Sequence, residues 1–164
     1  MTGPDRTPDG HHIVVGDRRW RATDPGIPEK LRAELVAELM AARRLVRTDP
    51  DAARPRVQHA KVALGERGAP WWDQPDESAQ KERLTATVRA LLRHRAGGSI
   101  CPSDAARVVG GEGWRGLMAT ARGVAAELAV SDVAVVTQRG QPVDAATAHG
   151  PVRISPGPRL DSPG

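Results

Sequence analysis

The sequence predicts a mainly α-helical protein with a small β-wing: a winged helix-turn-helix in the C-terminal half, preceded by a β-hairpin and a two-helix segment. Two observations carry that expectation. Apolar residues recur every three or four positions in five separate stretches, the mark of amphipathic helices. The last three of these are followed by two short β-branched runs around Arg139-Gly140, so the order is helix, short helix, turn, longer helix, hairpin.

The hairpin at the start rests on runs at 12–15 and 18–22 flanking Gly16-Asp17, a pair suited to a tight turn. Pro28 stands where a helix begins, since a first-turn residue needs no N–H partner. Leu31, Leu35, Leu39, Ala42 and Val46 then form one stripe, with Glu34, Glu38, Arg43 and Arg47 off it. Thr48-Asp49-Pro50 ends that helix and opens a second over about 51–66, closed by Gly68 and Pro70. The polar stretch after Trp71-Trp72 reads as the domain boundary, dividing a region 11–75 from a region 76–155, with disordered ends at 1–10 and 156–164.

In the second region Leu84, Val88, Leu91 and Leu92 mark a helix over 79–95, stopped by Gly97-Gly98. A short helix over 100–109 follows, with Cys101 at its N-cap, Pro102 in its first turn and Asp104 at its third position. After Gly110-Gly111-Glu112-Gly113 the most regular stripe begins: Trp114, Leu117, Met118, Ala121, Val124, Ala125 and Leu128. On that register Trp114 is a core residue of one long helix. Strands are expected at 133–138 and 151–155, with Arg139-Gly140-Gln141-Pro142 as a wing tip.

Composition narrows the function classes. The only aromatics among 164 residues are Trp20, Trp71, Trp72 and Trp114, so the core must be Leu, Val and Ala. Arginine exceeds lysine 21 to 3, a bias typical of GC-rich bacterial genomes and therefore weak evidence for any partner. The net charge of +4 divides into +2 for residues 1–75 (13 basic, 11 acidic) and +2 for 76–164 (11 basic, 9 acidic). A single cysteine, Cys101, permits no internal disulfide and fits a reducing compartment. With no long apolar run and no hydrophobic leader, the expected location is the cytoplasm, without membrane contact.

Residues Ile100-Cys101-Pro102-Ser103-Asp104-Ala105-Ala106-Arg107 and Trp114-Arg115-Gly116-Leu117-Met118, with Val136-Thr137-Gln138-Arg139-Gly140 and Gly150-Pro151-Val152-Arg153-Ile154, resemble an uncharacterised bacterial family, domain of unknown function 3253. The resemblance spans about 81–155. The N-terminal half is similar to an extension that accompanies this domain, through Trp20-Arg21-Ala22-Thr23-Asp24-Pro25 and Trp71-Trp72. It implies a winged-helix-like fold and no activity.

Chemistry is sparse. Gly111-Glu112-Gly113-Trp114-Arg115-Gly116 has the spacing of a dinucleotide fingerprint, but a helix start precedes it where a strand is required, and the strand at 133–138 ends on Thr137-Gln138 rather than an acid. No cofactor is expected. The histidines (His11, His12, His59, His94, His149) and Cys101 show no metal-ligand spacing and read as solvated, so no metal is expected. Ser103 and Cys101 have no visible base, so no enzyme is expected.

Nucleic acid is the partner class to test. On a winged helix, Arg115 and Arg122 would face the major groove, Arg139 the minor groove or backbone, and Arg107 and Arg153, with Arg89, Arg93 and Arg95, the phosphates of duplex DNA. The same helix face carries Gly116, Ala119, Thr120 and Gly123, a strip of small residues that suits close packing, either within the chain or by self-association with a protein partner. Both readings stay open. Trp71-Trp72 is expected to seal the junction between the halves.

Overall fold

The computed structural model describes residues 5–162. The chain runs β1 (Asp5–Arg6), β2 (His12–Val15), β3 (Arg18–Arg21), α1 (Glu29–Leu45), α2 (Pro50–Ala63), α3 (Glu77–His94) and α4 (Pro102–Gly110). A 3-10 segment (Gly111–Leu117), α5 (Met118–Val130), β4 (Ala134–Gln138), β5 (Gln141–Pro142) and β6 (Arg153–Pro156) complete it. It is a mainly helical protein with two three-stranded antiparallel sheets, ordered β1-β2-β3 and β5-β4-β6.

The helices begin where side chains satisfy their first N–H groups. Asp49 accepts from Ala52 N at 3.1 Å at the start of α2, and Asp76 from Ala79 N at 2.7 Å at the start of α3. Asp104 reaches back from α4 to Cys101 N at 2.9 Å. The expected stripes face inward: Leu31, Leu35 and Leu39 from α1, Leu84, Val88, Leu91 and Leu92 from α3, and Val124, Ala125 and Leu128 from α5 are all buried.

These stripes meet in one continuous apolar cluster that runs from Ile27 to Leu160. The helix α3 packs on both α1 and α2 as well as on α4 and α5. The break expected near residue 76 is thus a break in the course of the chain and not in the core. Its acidic turn caps α3, and α3 itself is the shared wall.

Four further expectations change. Residues 5–10 are not disordered: Asp5 and Arg6 pair with Val14 and Ile13 as an outer strand; residues 1–4 lie outside the described residues. Residues 156–162 return along α3, with Leu160 6% exposed and Arg159 N bonding Asp132 O at 2.9 Å, where a disordered tail was expected; 163–164 lie outside the described residues. Glu38, expected on the solvent side of α1, is buried because Arg56 neutralises it through bonds of 2.6 and 2.9 Å.

The fourth concerns Trp114. The segment from Gly111 to Leu117 is 3-10, and α5 begins only at Met118. Gly111, Gly113 and Gly116 weaken the α conformation there, and Gly111 turns through a φ of 56°. In a 3-10 helix residues three apart eclipse, so Trp114 and Leu117 share a side and both end half-buried against the core rather than inside it.

The C-terminal sheet also differs in register from the expected hairpin. Gln138 pairs with Gln141 across a two-residue turn in which Arg139 and Gly140 have φ of 53° and 80°. Both central residues are left-handed, as a tight twisted hairpin requires. The strand β6 pairs with the other edge of β4 after a loop, and Ile154 also bridges Ile100, which places a short extended segment between α3 and α4.

Candidate functional site

Of the five arginines expected to meet nucleic acid, the structure divides two from three. Arg122 lies on α5, but all three nitrogens of its guanidinium bond within the chain. Nε donates to Ala145 O at 3.2 Å, Nη1 to Gly150 O at 3.0 Å and Nη2 to Ala148 O at 2.5 Å. These three carbonyls lie in the loop between β5 and β6, so Arg122 is held against that loop by three of its five N–H donors. Arg153, on β6, is exposed but is likewise engaged within the chain: Nε to Ser99 Oγ at 3.0 Å, Nη2 to Ser99 O at 2.9 Å and Nη1 to Cys101 Sγ at 2.6 Å. It ties β6 to the segment that opens α4.

Arg107, Arg115 and Arg139 are exposed. Arg107 on α4 and Arg115 in the 3-10 segment lie over the Trp114 ring, 4.5 and 4.6 Å from its centroid. Each contact favours the cation by electrostatic attraction to the ring face while leaving the guanidinium edge free to donate. Trp114 therefore serves as the rest on which two cations are held in place. Arg139 occupies the tip of the β4–β5 turn. Among the described residues no ion pair involves any of the three.

The other arginines expected at phosphates have different surroundings. Arg95 is bidentate to Glu34 at 2.8 and 3.0 Å and reaches Asp104 at 3.4 Å. Those hydrogen bonds hold the Glu34 carboxyl below its ordinary value despite partial burial. Arg89 and Arg93 face a cleft beside α2 instead of the α5 surface.

The strip of small residues is open. Ala119 and Gly116 are exposed, and a methyl group added at Gly116 or Gly123 would meet no atom within 4 Å. Thr120 and Gly123 are half-buried. The dinucleotide spacing around Gly111 follows α4 directly, so its backbone lacks the strand that such a site needs.

Trp71 and Trp72 sit where the N-terminal sheet meets the end of α2. Trp71 Nε1 donates to Ala22 O at 2.9 Å, and Trp72 stacks on His11 at 4.0 Å between ring centroids and 6° between planes. His11 is thus not the solvated histidine the sequence suggested. Neither is His59, which receives Arg93 Nη1 at 2.7 Å on Nδ1.

Residues 81–156 match the family described as "Protein of unknown function (DUF3253)". The matched segment contains α4, α5 and the second sheet, together with most of α3. No curated protein matches the chain. Among the described residues no helix is long and apolar enough to cross a membrane, and no group of three or more His, Cys, Asp or Glu side chains is placed to hold a metal.

Proposed function

We propose that the DUF3253 domain is a winged-helix module that binds duplex DNA through α4, the 3-10 segment after it and the β4–β5 turn, without catalysis. The fold reading is supported by the order of α3, α4 and α5 around one core, by the bridge between Ile100 and Ile154, and by the two-residue turn that makes a wing tip. The observation that carries the function is the set of three exposed, unpaired guanidiniums at Arg107, Arg115 and Arg139 in a chain with 20 acidic residues. Held by Trp114 or by a rigid turn, they lose little freedom on meeting phosphates.

Binding of this kind is carried mainly by phosphate contacts and must weaken with salt. Electrophoretic titration of the full chain against random duplex DNA should show a complex at about 50 mM salt that is much weaker at about 200 mM. No complex at the lower salt refutes the reading.

A second reading has its own observation, the open space above Gly116 and Gly123. A second copy would approach closely there, giving self-association through Gly116, Ala119, Thr120 and Gly123. Gly123→Leu would then break an oligomer, because close helix contact tolerates no added side chain. A monomeric wild-type chain in sedimentation excludes it.

A further inference from the structure

Between α2, the C-terminal end of α3 and the returning segment 156–162 lies a cleft of about 1060 Å³, the size of small-molecule sites. Two guanidiniums converge in it on a single atom. Arg89 Nη1 lies 3.3 Å and Arg93 Nη2 3.1 Å from the carbonyl oxygen of Leu160. Arg93 Nε also donates to Asp161 Oδ1 at 2.9 Å, while its Nη1 meets His59 Nδ1.

At the pair itself, two guanidiniums meet a single carboxylate. Arg89 and Arg93 stand one helical turn apart, a spacing at which like charges repel. The Arg93 side chain is 5% exposed, yet its carboxylate partner Asp161 is 73% exposed and belongs to a terminal strap. Arg89 meets only a neutral carbonyl, and burial together with Arg93 pulls it below its ordinary value. His59 adds no compensating charge: burial, Arg93 and Arg89 push it down to about 4, so it is neutral and accepts. Arg56 at the rim is already neutralised by Glu38, and the rim acid Asp49 caps α2. The second rim acid, Asp51, is exposed at the start of the same helix.

We propose that this cleft binds a small phosphate-bearing molecule, with Arg89 and Arg93 as the phosphate clamp and the Leu160 carbonyl and Asp161 carboxylate occupying the anion's position in the free chain. A phosphate brings several acceptor oxygens and a double negative charge to a pair of donors that now share one neutral oxygen. The apolar wall of Leu45, Pro55 and Leu92 suits the remainder of such a ligand. The site shares no residue with the surface of Arg107, Arg115 and Arg139, so it stands whether or not that surface binds DNA.

The test is calorimetric titration of the full chain with inorganic phosphate and with a phosphomonoester, alongside NMR of the His59 ring. Phosphate should bind, perturb the His59 ring and raise its pKa above about 4 by bringing a negative charge alongside. Asp161→Asn should tighten binding about tenfold, since an internal competitor is removed. Arg89→Gln, which gives up one long hydrogen bond, should weaken binding about tenfold with an unchanged melting temperature. Absence of phosphate binding in both the wild type and Asp161→Asn overturns the proposal. Binding indifferent to both substitutions marks an ion held elsewhere and overturns it too. So does loss of duplex DNA binding in Arg89→Gln without any phosphate binding by the wild type.

Discussion

In the seam where α3 meets α1 and α2, three arginines each donate to a carboxylate. Arg56 meets Glu38 at 2.6 Å, Arg83 meets Asp24 at 2.9 Å and Arg95 meets Glu34 at 2.8 Å. Around α5 and the β4–β5 turn, Arg107, Arg115 and Arg139 meet no carboxylate at all among the described residues. The two regions draw on one composition and carry similar formal charge. What separates them is burial. In the seam each of these three guanidiniums is neutralised by a carboxylate as it leaves water, whereas the three at the surface are left available. Arginine content alone therefore says nothing about a partner, while the pairing of each arginine does.

The largest effect that would break this comparison is loss of the seam as a whole. Deleting residues 1–75 removes α1 and α2 from the core they share with α3, so the remaining chain should show no cooperative thermal melt. A sharp melt for residues 76–164 alone would show that the seam is dispensable. Next comes a single seam pair. Arg83→Ala leaves Asp24 unpaired in a site where both side chains are 13% exposed, and denaturant titration should show a loss of about 3 kcal/mol or more. Arg115→Ala should fall within about 0.5 kcal/mol of wild type. Equal losses would erase the distinction between the regions.

Protonation tests the same seam without mutation. His59 is pushed down to about 4 in the folded chain, against an ordinary 6.5 when unfolded. Between these values the unfolded chain binds the proton more readily, so stability falls as pH drops through 6.5 and the loss is complete below about 4. The expected magnitude is at most about 3 kcal/mol, and His59→Gln should flatten the profile in that window. The depressed carboxyl of Glu34 adds a further loss at still lower pH, as its pair with Arg95 is protonated away. Trp114→Ala should cost only about 1–2 kcal/mol, because Trp114 is half-buried and gives up chiefly its two cation contacts. A loss of about 3–5 kcal/mol would restore it to the core.

Helices were legible wherever a stripe lay between clear stops, as Leu84 to Leu92 before Gly97 and Leu31 to Leu39 after Pro28. The 3-10 segment was not, because Trp114, Leu117 and Met118 fit helical spacing on paper while Gly111, Gly113 and Gly116 decide the backbone. The role of Arg122 was hidden for a different reason. Its acceptors are carbonyls 23 to 28 residues further along, and backbone groups leave no side-chain signal. Glu38 was legible only as a charge off a stripe; its burial follows from Arg56 on the next helix. For the phosphate cleft, the spacing of Arg89 and Arg93 was visible, but nothing marked Leu160 as the anchor that brings the terminal strap onto them.

The central claim is that three exposed, unpaired arginines of the C-terminal segment, Arg107, Arg115 and Arg139, meet DNA. It is tested most directly by the salt dependence of duplex binding in the wild type and in the triple variant R107Q/R115Q/R139Q. Each guanidinium that no longer neutralises a phosphate should lower the slope of log affinity against log salt by about 0.9, so the triple variant should be shallower by up to about 2.7 while melting like the wild type. An unchanged slope in the triple variant, or no duplex binding by the wild type at low salt, would contradict the account.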